Sequence, residues 1–165
     1  MNWEFKNSTA TWQAANGLKP FSFQNGNLLT EVSALDPYLF IPDATFKVEN
    51  YLCAELKMKI ALSGVTKPGV GNTAGGIFWI TDTDPNWAED KHTVFTIQPD
   101  NKFHLYKIWF HHNPKWTGTI TGLRIDPIED AVGGEKLEIE YLKIVKYADY
   151  TDETILAYSH AVREN

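Results

Sequence analysis

The sequence predicts an all-β fold, a sandwich of two antiparallel sheets. Three observations carry that expectation. Apolar and polar residues alternate with a period of two, as they do along a strand with one buried face. Clusters of Pro, Gly, Asn and Asp cut the alternation into short segments. The 3.6-residue period of an amphipathic helix is nearly absent.

The segments follow in order. Leu56, Met58, Ile60 and Leu62 alternate with Glu55, Lys57, Lys59 and Ala61, which makes a strand with one buried side. Residues 67–72 (Lys-Pro-Gly-Val-Gly-Asn) form a loop, and Gly75-Gly76 opens a strand over 77–81. A second loop, Asp82-Thr83-Asp84-Pro85-Asn86, is dense in turn formers. Residues 92–98 and 103–111 are expected to form a hairpin around Pro99-Asp100-Asn101-Lys102. The loop 113–118 leads to a strand at 119–125, and the last clear strand spans 137–145. Only 152–163 has the pattern of a short helix. One domain over residues 1–148 is expected, with 149–165 as a tail or linker.

Length and composition exclude several function classes. At 165 residues the chain suits one full domain, and 43% hydrophobic with 22% charged residues is the composition of a globular protein. The formal charge of −6 and the lack of a Lys/Arg run argue against nucleic acid as partner. No stretch approaches the roughly 20 apolar residues of a membrane span. Cys53 is the single cysteine, so there is no intrachain disulfide and no thiolate metal cluster. Aromatic residues are in surplus at 13%. Flat rings fill cores, and they also stack on the apolar faces of ligands.

Alternation then sorts the aromatic side chains. Tyr106, Ile108 and Phe110 read as core, which turns Leu105, Lys107, Trp109 and His111 to the opposite face. Burying Phe78 and Ile80 turns Ile77, Trp79 and Thr81 outward. Leu123 and Ile125 read as core and leave Arg124 and Asp126 outside. One non-core face is thereby expected to gather Trp79, Trp109, His111, Lys107 and Arg124, rings and cations suited to a sugar chain. The alternative is that long loops cover this face too, with Trp79 and Trp109 as second-layer core. Trp87 lies in a polar loop, Pro85-Asn86-Trp87-Ala88-Glu89-Asp90-Lys91, where a ring has fewer structural uses. Trp116 has a similar claim, or it pins its own loop.

Two stretches, Thr119-Ile120-Thr121-Gly122-Leu123-Arg124-Ile125-Asp126-Pro127 and Glu138-Ile139-Glu140-Tyr141-Leu142-Lys143-Ile144, resemble the C-terminal half of carbohydrate-binding modules of the galactose-binding-domain-like superfamily. Asp36-Pro37-Tyr38-Leu39, Phe78-Trp79-Ile80-Thr81, His104-Leu105-Tyr106 and Trp116-Thr117-Gly118 stand in the order that group uses. The resemblance covers residues 1–146. It implies a jelly-roll sandwich without catalysis, and a sugar site on a sheet face or in the loops at one end. Such modules accompany secreted bacterial polysaccharide-degrading enzymes. The resemblance therefore implies an extracellular location, with a signal peptide outside this chain, and a catalytic domain in the same parent polypeptide. It also implies a structural calcium, for which the matching positions are Glu4 and Glu140.

Catalytic signatures are mostly missing. No phosphate-binding Gly-rich loop occurs, His111 and His112 are adjacent and point to opposite sides of a strand, and no serine sits in a nucleophile elbow. Tyr141, Lys143 and Tyr147 resemble the Tyr-x-Lys-x-x-x-Tyr strand of jelly-roll alginate lyases, but the Gln-x-His strand of those enzymes is missing. The expected function is carbohydrate binding by a monomer. Trp79, Trp87 and Trp109 are expected to stack on pyranose rings, and Lys91, Lys107 and Arg124 to favour an acidic polymer. A lyase or a protein-interaction module is the alternative.

Overall fold

The computed structural model describes residues 1–5, 12, 14–64 and 74–146. The loop expected at 67–72, the tail at 149–165 and Tyr147 lie outside them. The described residues form twelve strands: β1 (Asn2–Glu4), β2 (Ala14–Asn16), β3 (Ser22–Gln24), β4 (Asn27–Glu31), β5 (Tyr38–Ile41), β6 (Phe46–Lys47), β7 (Tyr51–Ala61), β8 (Ala74–Thr81), β9 (His92–Thr96), β10 (His104–Trp109), β11 (Thr119–Asp126) and β12 (Lys136–Lys146). A single 3-10 turn, Val48–Asn50, precedes β7.

Two antiparallel sheets pack face to face as a jelly-roll sandwich. The first, sheet A, has the order β10-β7-β12-β4-β3, with β1 on the far half of β12. The second, sheet B, has the order β2-β5-β11-β8-β9, with β6 beside β11. In β7 the alternation holds as expected: Leu56, Met58 and Ile60 face the core, while Glu55, Lys57 and Lys59 face out. In β12 a bulge between Ile139 and Tyr141 adds one residue. It lets Leu137 and Ile139, then Leu142 and Ile144, all face inward.

Two departures from expectation bear on the site. Residues 92–96 and 104–109 do not form a hairpin. β9 pairs with β8 and is the edge of sheet B, whereas β10 pairs with β7 and is the edge of sheet A. The connection crosses the sandwich, and buried Ile97 anchors it. The backbone N–H of Gln98 donates to the Tyr106 hydroxyl at 3.1 Å.

β8 is the second. Its inward residues are Ile77 and Trp79, and Phe78 and Ile80 face out, the reverse of the expected parity. Ala-Gly-Gly-Ile-Phe-Trp-Ile-Thr is apolar on both sides, so alternation cannot choose, and a one-residue error inverts every side chain. The Trp79 ring lies edge-on to Trp116 (centroids 5.0 Å) and Phe110 (5.8 Å). Phe110 and Trp116 stack at 4.0 Å. The two indole N–H groups donate to the Lys115 and Tyr51 carbonyls, both at 3.2 Å, so neither is left unsatisfied in the interior.

Candidate functional site

The non-core face of sheet B carries a row of rings and charged groups set by strand register across four strands. Phe40 of β5 pairs with Arg124 of β11, Arg124 with Phe78 of β8, and Phe78 with His92 of β9. Arg124, Phe78 and His92 of this row form a stacked column with Tyr38. The Arg124 guanidinium lies 4.1 Å from the Phe78 ring centroid and 4.4 Å from that of Tyr38. His92 covers the other side of Phe78 at 4.6 Å, the planes 13° apart. Arg124 donates from Nε and Nη2 to the two carboxylate oxygens of Asp126, at 2.7 and 2.5 Å. That bidentate fork between two rings fixes both charged groups in place. It takes two of the five guanidinium donors, so donor capacity remains.

Beside the column lies an aromatic shelf. Phe40 is 42% exposed, and the half-buried Trp87 ring lies near-parallel to it (centroids 5.4 Å, 27°). Gly122 makes room for Ile80, because a Cβ there would stand 3.0 Å from that side chain, and it lies next to the Trp87 ring. A groove of about 260 Å³ adjoins the column, with Asp36, Glu89, Asp126 and Glu129 set against Arg124 and His92. Burial pushes the Asp126 carboxyl up to about 6, helped by Asp36 and Glu129 and opposed by Arg124. Exposed rings beside fixed donors and acceptors can hold a ligand with both apolar faces and hydroxyl groups.

The expected site residues therefore separate into three places. Arg124 and Trp87 share the outer face of sheet B. Lys107, Trp109 and His111 lie on or beside β10, at the edge of sheet A, so no single face gathers both groups. Burial depresses the His111 pKa, and His112 adds to the effect. Trp79, Trp116 and Lys91 are buried. Trp79, fully enclosed, has no ring face to offer, and it is corrected from contact residue to core. Trp116 likewise pins its loop from inside.

Lys91 is corrected from ligand contact to loop anchor. Only 2% exposed, its ammonium donates to the Asp84 carbonyl at 3.0 Å and pairs with the Asp84 carboxylate at 2.8 Å. With Asp84 N–H bound to the Thr81 hydroxyl, this closes the loop that carries Trp87. The pairing also holds the Asp84 carboxyl below its ordinary pKa. Lys91→Met keeps the volume and removes the charge. It is expected to speed amide hydrogen exchange across residues 82–90 about tenfold or more, with little change in global stability. Unchanged exchange in that loop would show that the backbone bonds alone hold it.

Tyr38, Phe40, Phe78, His92 and Asp126 were not among the expected contacts. The signal for two of them is present: in Tyr38-Leu39-Phe40-Ile41, burying Leu39 and Ile41 turns Tyr38 and Phe40 outward together.

The pair expected to hold calcium, Glu4 and Glu140, does line one hollow, with Asn25, Asn27 and Lys143. The Glu140 carboxylate is bound to Lys57 at 2.8 Å, and Glu4 accepts from the Asn2 amide at 2.8 Å. No group of three or more His, Cys, Asp or Glu side chains placed for a metal occurs among the described residues. Calcium takes 6–8 oxygens, so this set of donors fits it poorly.

No family model matches the chain, and no curated protein matches it by sequence. Solved structures do share its fold. A variant of a family 29 carbohydrate binding module matches with a TM-score of 0.58 and 11% identity, over 92% of this chain and 98% of that one. Another variant of that module, complexed with mannohexaose, matches at 0.55 and 10% identity, over 86% of this chain and 89% of the other. A low-affinity xylan binding module from the gut symbiont Roseburia intestinalis matches at 0.56 and 9% identity, over 90% of this chain and 96% of that one. At such identities the likeness is one of fold.

Proposed function

We propose that the chain is a non-catalytic carbohydrate-binding module whose sugar site is the outer face of sheet B. The observation that carries this reading is the shelf of Phe40 and Trp87 beside the Arg124–Asp126 fork. Pyranose C–H faces stack on the shelf while ring hydroxyls meet the fork. Structures of the same fold include complexes with mannohexaose and cellulohexaose and a xylan binding module, which supports a polysaccharide as the ligand class.

The polymer we favour is neutral. Four carboxylates rim the groove, and Arg124 is already paired. Of the other cations expected to attract an acidic gum, Lys91 is buried and Lys107 lies on the other sheet. The module tethers a catalytic domain of a secreted parent protein to its substrate, raising local concentration rather than breaking bonds. It acts as a monomer, since one chain completes the face.

The lyase reading loses support at Tyr141. Burial, with the Glu55 charge, raises the phenol's pKa, the opposite of what a proton-abstracting tyrosine needs, and Lys143 lies over its ring at 4.5 Å.

Affinity electrophoresis tests the proposal. The wild type is expected to be retarded by at least one neutral mannan, glucan or xylan and not by a uronate gum. Trp87→Ala and Phe40→Ala are each expected to weaken binding about tenfold or more, with an unchanged unfolding midpoint. Free migration of the wild type on every polymer would sink the reading.

A further inference from the structure

The row of paired residues on sheet B ends at β9, and β9 is an edge. Beyond it, in the seam between the edges of the two sheets, lies a groove of about 580 Å³. Thr93, Val94 and Thr96 of β9 form one wall, and Lys107, Trp109 and Pro114 form the other. The groove is held open by fixed parts. Ile108, between Lys107 and Trp109, is buried and turns both neighbours outward. The Asn113 amide donates to the Asp90 and His92 carbonyls at 3.1 and 3.0 Å, tying the loop after β10 to the start of β9.

Val94 belongs to both hollows: it lines this groove and the one beside Arg124, and it is 50% exposed. The two recesses therefore adjoin across a single apolar side chain. From Phe40 to His92 the row crosses three strand spacings, about 14 Å, at right angles to the strands. A polymer lying along that row and extending past β9 passes over Val94 into the seam. There it meets the half-buried Trp109, two threonines and the exposed residue Lys107, the same mixture of flat apolar surface and polar groups.

We infer that the seam groove, with Trp109 and Lys107, is a further subsite for the same polysaccharide chain, reached only by ligands long enough to cross β9. This rests on the sugar reading of sheet B and adds a length requirement to it. Affinity should rise with oligosaccharide length in two stages, the second of which depends on Trp109.

Calorimetric titration with a ladder of oligosaccharides from the polymer that retards the wild type tests this. Trp109→Ala is expected to bind short oligosaccharides as the wild type does and to bind the longest ones and the polymer about tenfold more weakly. Thr96→Arg, which fills the groove from the opposite wall, is expected to show the same split. Thr96 is exposed and Trp109 half-buried outside the core, so unfolding midpoints should stay within a few degrees of the wild type. Trp109→Ala affinity equal to wild type at every length overturns the inference, as does a uniform loss that includes the shortest ligand. The sheet B reading is checked separately by Trp87→Ala, which weakens all lengths alike. A wild type that binds no sugar sinks that reading and this one together.

Discussion

Replacing Trp79 with alanine is expected to cost about 3–5 kcal/mol of folding stability, the range for deleting a large aromatic from a packed core. The ring is fully enclosed and touches both Phe110 and Trp116, so its loss leaves a cavity that two rigid neighbours cannot fill. It also leaves the Lys115 carbonyl without its indole donor. Chemical denaturation reads the loss directly. Sugar affinity per folded molecule should hardly move, which separates Trp79 from Trp87. Loss of binding without loss of stability in Trp79→Ala would return this ring to the ligand.

Arg124→Ala is expected to have the second large effect, on binding and stability together. The substitution strips the fork from Asp126, which is 6% exposed, and leaves a buried carboxylate with no partner at a cost of about 3–5 kcal/mol. Acidity should relieve it. In the wild type Asp126 titrates near 6 in the folded state, above its ordinary 3.8, so folding favours the protonated form. Its contribution to stability is then greatest below about pH 4, declines as pH rises through 6, and is constant above. Without Arg124 the main influence lowering that pKa is gone, and Asp36 and Glu129 still raise it. The variant should therefore recover stability on acidification more steeply than the wild type. The double variant Arg124→Ala with Asp126→Asn should recover stability at pH 7 but not sugar binding. Wild-type affinity should itself fall as pH drops through 6, when protonation weakens the fork. A flat affinity profile between pH 5 and 8 would show that the ionised pair does not touch the ligand.

How much of this was legible beforehand depended on whether a strand is apolar on one side or both. β10 faces as expected, and so does β7 from Glu55 to Ile60; Leu62, expected on the buried side, lies past the strand end and is exposed. β8 is apolar on both sides, so Trp79 was assigned to the wrong face, and with it the idea of one surface joining Trp79 to Trp109. The outward Phe78 carries no polar signal because its cover is supplied by Arg124 and His92 from other strands. Lys91 gave no hint of burial, since one of the groups that hold it, the Asp84 carbonyl, is backbone, and the other, the Asp84 carboxylate, reads as an ordinary loop acid. The β9–β10 pair misled for a related reason: a short turn-rich link suits a hairpin, and only tertiary pairing decides that each strand joins a different sheet. Arg124, Asp126 and Trp87 were correctly turned away from the core, but what assembles around them is set by register across four strands.

The pairing of β1 with β12 joins residues 2–4 to residues 141–143. β1 must therefore wait for a strand about 140 residues further along before its backbone groups find partners. A chain closed in this way folds on the millisecond-to-second scale of all-β topologies rather than the microseconds of a local bundle. During that interval the open flank of β12 beside Tyr141–Lys143 stays uncapped, and unpaired strand edges of this kind recruit strands from other molecules. Lys143, which closes over Tyr141 once the fold is complete, places a charge on that flank before it is. A residue outside the sugar site thereby disfavours pairing of that flank with strands of other molecules.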